Sequence, residues 1–204
     1  MTLTSGARAL LCAFVLFGVA APSSAQNAPR AEFSAGWRLL NLPDAFDSES
    51  ETFPLGWYAD VAGNLTRAIA VVGEVSGSYK SFNENTTQFG VTTNVDADVN
   101  VHTFLGGIRF NARQNPAFTP YVQALFGLAR EAATVKGEAT FNGRTTTIID
   151  ESQSDSDFAF DAGGGVNINL SDNLAVRVGA GYLRLGGSDG SNAFRFGAGV
   201  VIRF

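Results

Sequence analysis

Hydrophobic and polar residues alternate with period two through most of the chain after residue 30. The pattern is most complete in residues 193–204, where one set of positions is wholly apolar and the other holds two arginines among glycines. A β-strand sends alternate side chains to opposite faces, so this stretch predicts a strand with one face free of polar groups. The same pattern recurs in residues 32–41, 55–66, 68–82, 99–111, 121–130, 158–170 and 174–185.

Charge is confined to one face in the predicted membrane-spanning part of these eight segments. The apolar set contains no Asp, Glu, Lys or Arg there, and its only charges, Arg130 and Arg184, lie at the ends of their segments. The opposite set collects Arg38, Asp60, Glu74, Arg109, Asp161, Arg177, Arg195 and Arg203. A charge-free face suits lipid, because Arg or Lys there costs roughly 2–4 kcal/mol at the membrane midplane. We therefore predict an all-β fold, an eight-stranded antiparallel up-and-down transmembrane β-barrel.

Some positions break the pattern. Val101 and Leu105 fall on the polar side of the fourth segment, and Leu125 does so in the fifth. An apolar interior is typical of a soluble lipocalin-like carrier, so Val101 and Leu105 keep that alternative open.

Short and long connections also alternate. Residues 64–67 and 171–173 are tight turns and 112–120 is moderately short, whereas 41–54, 83–98 and 131–157 are long and polar. Outer-membrane barrels combine short periplasmic turns with longer extracellular loops, and an even strand count puts both termini in the periplasm. The Asn-Gly pair between Phe141 and Arg144 is a two-residue hairpin signal, so we expect a ribbon rising above the membrane there.

The first 25 residues predict a signal peptide. Arg8 supplies positive charge, residues 9–21 are apolar, and small residues end at Ala25. The apolar run is shorter than the roughly 20 residues that a spanning helix needs. We therefore expect cleavage before Gln26 and a barrel domain over residues 26–204. The only cysteine, Cys12, lies in this leader, so no disulfide is expected in the mature chain.

Charge and residue chemistry exclude several function classes. The net charge of −5 provides no basic patch for nucleic acid. His102 is the only histidine, and no serine lies near it in the sequence, so a catalytic base acting on membrane lipids is not favoured. No Cys/His metal spacing follows the leader, and we expect no cofactor. The acidic residues of the long connections are best explained as solvated loop charge.

Four stretches resemble the small eight-stranded outer-membrane barrels related to the transmembrane domain of outer membrane protein A. They are residues 56–62, 71–75, 104–110 and the closing strand with Phe204 at its end. The resemblance implies an outer-membrane location and contact with outer-membrane lipids and lipopolysaccharide. It also implies that Phe204 acts as a signal for the barrel-insertion machinery. The chain ends with the barrel, so the resemblance does not extend to a cell-wall-binding domain.

The interior of an eight-stranded barrel is just wide enough for side chains to fill it. Buried charges there must pair or be hydrated, so we predict one or more ion pairs among Glu74, Arg109, Asp161 and Arg177. Such pairs would plug the lumen. We expect a non-enzymatic structural or surface-interaction barrel, with a narrow channel for small solutes as the alternative. Interfacial aromatic girdles are predicted from Trp37, Trp57, Tyr79, Tyr182 and Phe194.

Overall fold

A computed structural model describes residues 29–45, 49–88, 91–141, 144–186 and 190–204. The predicted signal peptide lies outside these residues and stays a prediction. Within the described ranges, no helix is long and apolar enough to cross a membrane.

The described chain consists of antiparallel strands. Their bounds are β1 Ala31–Ala45, β2 Glu49–Phe53, β3 Leu55–Asn64, β4 Ile69–Gln88, β5 Val91–Asn111, β6 Phe118–Phe141, β7 Arg144–Asn169, β8 Leu174–Leu185 and β9 Asn192–Arg203. The hydrogen-bonded order is β2-β1-β3-β4-β5-β6-β7-β8-β9, and β1 also pairs with β9. That last pairing, from Glu32↔Arg203 to Asn41↔Phe194, closes the sheet into a ring. The ring has eight strands, as predicted, and β2 is an additional strand that pairs with β1 from Leu40 to Ala45.

The two faces of the ring follow the period-two pattern. Val122, Phe126 and Phe196 point outward, with exposed fractions of 60%, 51% and 50%. Arg109 and Arg177 point inward and are buried. Closure makes this arrangement possible, because every strand of the ring is hydrogen-bonded on both sides and no edge remains at membrane depth. The predicted outward direction of the apolar face is confirmed.

The two ends of the barrel differ. At the turn end, residues 65–68, 112–117 and 170–173 connect the strands, and the backbone of Arg30 bonds to that of Phe204. At the opposite loop end, β4 to β7 continue past the last pairs of their neighbours, Leu55↔Tyr79 and Ala159↔Leu185. Residues 80–88, 91–100, 131–141 and 144–157 there form a four-stranded extension that we name the raised sheet.

The raised sheet corrects the expectation of long loops at 83–98 and 131–157. The β4–β5 pairing runs to Gln88↔Val91, and the β6–β7 pairing runs to Phe141↔Arg144. Threonine and valine are frequent here and suit strands, so the ladders continue after the barrel ends. About ten residues per strand, at roughly 3.4 Å each, extend the sheet by some 30 Å. The predicted ribbon is therefore present and is broader than the sequence indicated.

The interior contains an apolar cluster as well as charges. Phe53 of β2 is buried, and so are Val101, Leu105 and Leu125, the three residues that broke the pattern. They belong to one cluster with Leu40, Ala62, Ala70, Val72, Ala129, Ala159, Leu183, Leu185 and Ala193. Apolar residues therefore face inward over part of the barrel without reversing its outer face.

Candidate functional site

The candidate site is the charged interior of the barrel. Adjacent strands place their inward positions at matching heights, so the register decides which charges meet. Six arginines and four carboxylates lie in two neighbouring groups of ion pairs among the described residues, and together they form the lumen network. The members are Glu32, Arg38, Asp60, Glu74, Arg109, Arg113, Asp161, Arg177, Arg195 and Arg203.

Glu74 of β4 is the centre of the first group. Both terminal nitrogens of Arg38 donate to its carboxylate, with Nη1···Oε1 at 2.5 Å and Nη2···Oε2 at 3.0 Å. Arg195 Nη2 donates to Glu74 Oε1 at 3.2 Å and also lies 2.7 Å from Asp161 Oδ2. The paired geometry of Arg38 and Glu74 is the strong, bidentate form of this interaction.

Asp60 of β3 is the centre of the second group. Arg109 Nη1 donates to its Oδ1 at 3.2 Å, and Arg177 Nη1 donates to its Oδ2 at 2.8 Å. The remaining guanidinium donors are partly satisfied by amides, because Arg109 Nε donates to Gln123 at 2.9 Å and Arg177 Nε donates to Asn167 at 2.8 Å. One carboxylate therefore bridges arginines from two strands on different sides of the barrel.

Glu32 links the second group to the turn end. Its Oε1 lies 2.8 Å from Arg113 Nη2 and 3.5 Å from Arg203 Nε, and its Oε2 lies 3.7 Å from Arg177 Nη2. Arg113 comes from the turn after β5, where no alternation exists to mark it. Burial of Arg113 lowers the pKa of its guanidinium, and the adjacent Glu32 opposes this effect.

The structure corrects the predicted ion pairs. Glu74, Arg109, Asp161 and Arg177 are all buried in the interior. Within the part of the chain that is described, however, none of the four forms an ion pair with another member of that set. Their partners are the inward residues Glu32, Arg38, Asp60 and Arg195. The sequence pattern marked these partners as inward residues, but strand register, which it does not contain, chose between them.

Two tyrosines also fill the lumen. The guanidinium of Arg38 lies 4.4 Å from the ring centre of Tyr58, and those of Arg109 and Arg177 lie 5.1 and 4.9 Å from that of Tyr121. Glycines two strands away from each tyrosine make room for the hydroxyl groups. A Cβ on Gly199 would lie 2.5 Å from the Tyr58 hydroxyl oxygen, and one on Gly179 would lie 2.5 Å from that of Tyr121. Tyr58 and Tyr121 share the polar side of the period-two pattern with Asp60 and Gln123, but that pattern does not indicate their contacts with arginines.

Little space remains around the network. The cavity between the arginines, Tyr58 and Tyr121 has a volume of about 30 Å³, which is room for one or two water molecules. A wider mouth of about 620 Å³ opens at the turn end beside Arg113 and Arg203. The arrangement can hold water at its centre.

The predicted girdle residues all lie on the outer face. Trp37, Trp57, Tyr79, Tyr182 and Phe194 have exposed fractions between 37% and 47%. Trp57 Nε1 donates to the Tyr79 hydroxyl at 3.2 Å, and that hydroxyl lies 3.0 Å from Nε2 of His102. Trp37 lies opposite Trp57 in the register, and Tyr182 stacks edge-on against Phe194. Their depth in a membrane stays a prediction, and His102 is an outward-facing residue in this row.

Phe204 is 70% exposed at the turn end. Its backbone N–H donates to Ala31 O at 2.9 Å, and its carbonyl accepts from Arg30 N at 2.7 Å. The terminal aromatic side chain is thus held outside the barrel by the strand closure.

The closed ring, its apolar outer surface and its paired interior charges define a small transmembrane β-barrel. The family model for the outer membrane protein beta-barrel domain matches residues 9–204, so the chain belongs to that family of outer-membrane barrels. Solved structures with the same fold include Ail of Yersinia pestis in complex with the heparin analogue sucrose octasulfate. It is 18% identical, with a TM-score of 0.59, and the match covers 87% of this chain and 99% of that one.

The structure of Ail alone matches with 16% identity and a TM-score of 0.54 over 87% of this chain and 99% of that one. Neisserial surface protein A matches with 10% identity and a TM-score of 0.51 over 88% of this chain and all of that one. No curated protein matches the sequence. At these identities the structural matches establish the fold alone.

Proposed function

We propose that the protein is a sealed outer-membrane barrel whose function is to present the raised sheet at the cell surface. The observation that carries the proposal is the filled interior, in which every buried carboxylate of the network has an arginine partner. A lumen closed by ion pairs and by an apolar cluster leaves surface interaction as the role that the geometry supports best. Outer-membrane lipids surround the apolar face, and lipopolysaccharide surrounds its outer half.

The proposal includes an orientation. The loop end faces outward and the turn end, with both termini, faces the periplasm, in accord with the usual placement of short turns. Phe204 then lies at the periplasmic end, where it serves the barrel-insertion machinery during assembly. The girdle residues Trp57, Tyr79 and Tyr182 lie at the outer lipid–water boundary.

Polyanions are not the partners that this surface supports. The Ail structure was solved with a sulfated heparin analogue, but the raised sheet of this chain carries nine acidic and three basic side chains, a net charge of −6. Such a surface repels sulfated sugars. The ligand class therefore has to be argued from this chain's own residues.

Conductance tests the sealed lumen. Purified full-length mature protein in planar bilayers is expected to show no steady conductance, because the central cavity accommodates no hydrated ion path. A large, stable current from the folded monomer would instead establish the narrow channel and refute the sealed barrel.

Cysteine labelling on intact cells tests the orientation. The mature chain after residue 25 contains no cysteine, so single substitutions give clean labels. Thr146→Cys in the raised sheet should react with a membrane-impermeant maleimide, whereas Ser171→Cys at the turn end should react only after lysis. The reverse labelling pattern would refute the proposed display of the raised sheet.

A further inference from the structure

The raised sheet ends in an unpaired strand edge. β7 pairs with β6 along its whole length, but its pairing with β8 begins only at Ala159↔Leu185. Residues 144–157 therefore have no strand on their second side among the residues that the structure describes. An exposed edge of this length is a template for a further strand. The extra residue Ile148 forms a bulge that leaves residues 149–157 as the longer regular part of the edge.

The backbone groups along this edge can be assigned. The N–H of Ser156 donates to the carboxylate of Asp155 at 2.8 Å and so is turned away from β6. In an antiparallel ladder, the N–H and C=O of one residue point to the same side, and successive residues alternate. Asp150, Ser152 and Ser154 consequently offer both backbone groups to the open side, and Ser156 offers its carbonyl. An extended segment that aligns there would gain a regular ladder of hydrogen bonds.

The face beside this edge is partly apolar. The register places Phe82, Ala97 and Val135 in one row across the sheet, and that row ends at Glu151 on β7. These side chains lie on the same face of the sheet as the inward residues of the barrel. At this height, however, no described strand lies across from them to close the ring. An incoming strand would extend a face that has apolar residues at its centre and acidic residues along its margin.

Charge identifies the occupant. Glu151, Asp155 and Asp157 share the inward side of β7, and Glu131 lies opposite Asp155 on β6. None of these four forms an ion pair within the described ranges, whereas each carboxylate of the lumen network does. Partial desolvation raises the pKa of Glu131, and the neighbouring Asp157 and Asp155 raise it further. The margin thus has negative charge that no basic side chain of the described residues pairs with.

We propose that this edge of the raised sheet binds an extended cationic polypeptide segment with lysine or arginine at every second position. The segment pairs with residues 149–157 as a fifth strand. Its basic side chains lie beside Glu151, Asp155 and Asp157, since directly opposite side chains in paired strands approach within about 5 Å. A second copy of this chain is disfavoured at the same edge, because like charges would face each other. The inference rests on the proposed surface display.

The test uses the mature protein in nanodiscs of zwitterionic lipid and a fluorescent peptide in which lysine and threonine alternate. We expect saturable binding by fluorescence anisotropy. An N-methylated peptide of the same sequence, which lacks the edge-pairing donors, should bind at least about tenfold more weakly. Equal binding of the two peptides would show ionic adsorption without strand addition and would overturn the proposal.

Matched variants locate the site. Asp155→Asn with Asp157→Asn should weaken binding roughly tenfold through the loss of two cross-strand charge pairs. Glu84→Gln with Glu138→Gln removes the same charge elsewhere in the raised sheet and should change binding little. Equal losses in the two variants would overturn the location.

Ser154→Pro removes a backbone donor from the open side and leaves the β6 ladder intact. It should abolish most of the binding, while Ser154→Ala should retain it. Full binding by the proline variant would exclude β7 as the docking edge. Failure of the peptide to bind a protein that is non-conducting and labelled at the surface would refute this inference alone. Open conductance or reversed labelling would refute the proposed function.

Discussion

Loss of the Glu74 carboxylate charge should strongly destabilise the barrel. Glu74 is buried, and it accepts hydrogen bonds from two guanidinium groups. In Glu74→Gln, Arg38 keeps no carboxylate within ion-pair distance among the described residues, whereas Arg195 keeps Asp161 at 2.7 Å. Breaking a buried pair from one side costs about 3–5 kcal/mol, because the remaining charge is left uncompensated. We expect a loss in this range in the free energy of unfolding.

Urea unfolding in lipid vesicles, followed by tryptophan fluorescence, measures this loss. Glu51→Gln is the matched control, since Glu51 pairs with Lys80 at the loop end, where both side chains are about one-fifth exposed. Its cost should be about 0–1 kcal/mol. Replacing the pair by Arg38→Met with Glu74→Met should recover much of the loss, because apolar replacements of a buried pair are often neutral. Equal costs for Glu74→Gln and Glu51→Gln would refute a stabilising role for the interior network.

Three further changes test other parts of the structure. Leu125→Ala should cost about 2–5 kcal/mol in urea unfolding by leaving a cavity in the interior cluster, whereas a cost like that of a surface change would show that the cluster is not packed. Because the pKa of Glu131 is raised in the folded state, its contribution to stability is greatest below the unfolded pKa and is lost as pH rises through the folded pKa. Glu131→Gln should therefore stabilise the protein more at about pH 7 than at about pH 4, and an equal effect at both would contradict the shift. Phe204→Ala should slow insertion by purified insertion machinery into proteoliposomes more than Phe118→Ala does, although both side chains are exposed at the turn end; equal rates would argue against a signal at Phe204.

The direction of each side chain in the barrel could be read from the sequence. Phe194, Phe196 and Ile202 alternate with Arg195 and Arg203, and backbone geometry turns this order directly into two faces. A charged side chain on the lipid-facing side is costly at the membrane midplane. The requirement for an apolar outer face therefore applies to every strand of the barrel. The same reasoning predicted eight strands, because eight segments satisfy it.

The pairing of interior charges could not be read in this way. Asp60 and Arg177 are 117 residues apart, yet their Oδ2 and Nη1 atoms lie 2.8 Å apart. Side-chain reach across the lumen depends on strand register and on ring closure, which no local pattern encodes. Leu105 and Leu125 break the alternation of polar and apolar residues for the same reason. Their packing partners in the interior cluster come from distant strands.

The amino-acid sequence by itself determined the strands of the barrel, their two faces and the position of the hairpin signal at Asn142-Gly143, because these depend on short-range periodicity and turn chemistry. The tertiary structure alone decided which arginine pairs with which carboxylate. It also decided that β2 adds Phe53 to the interior and that β4 to β7 extend beyond the strands beside them. These features depend on pairing between distant strands, whose free energy belongs to the closed sheet and not to any one segment.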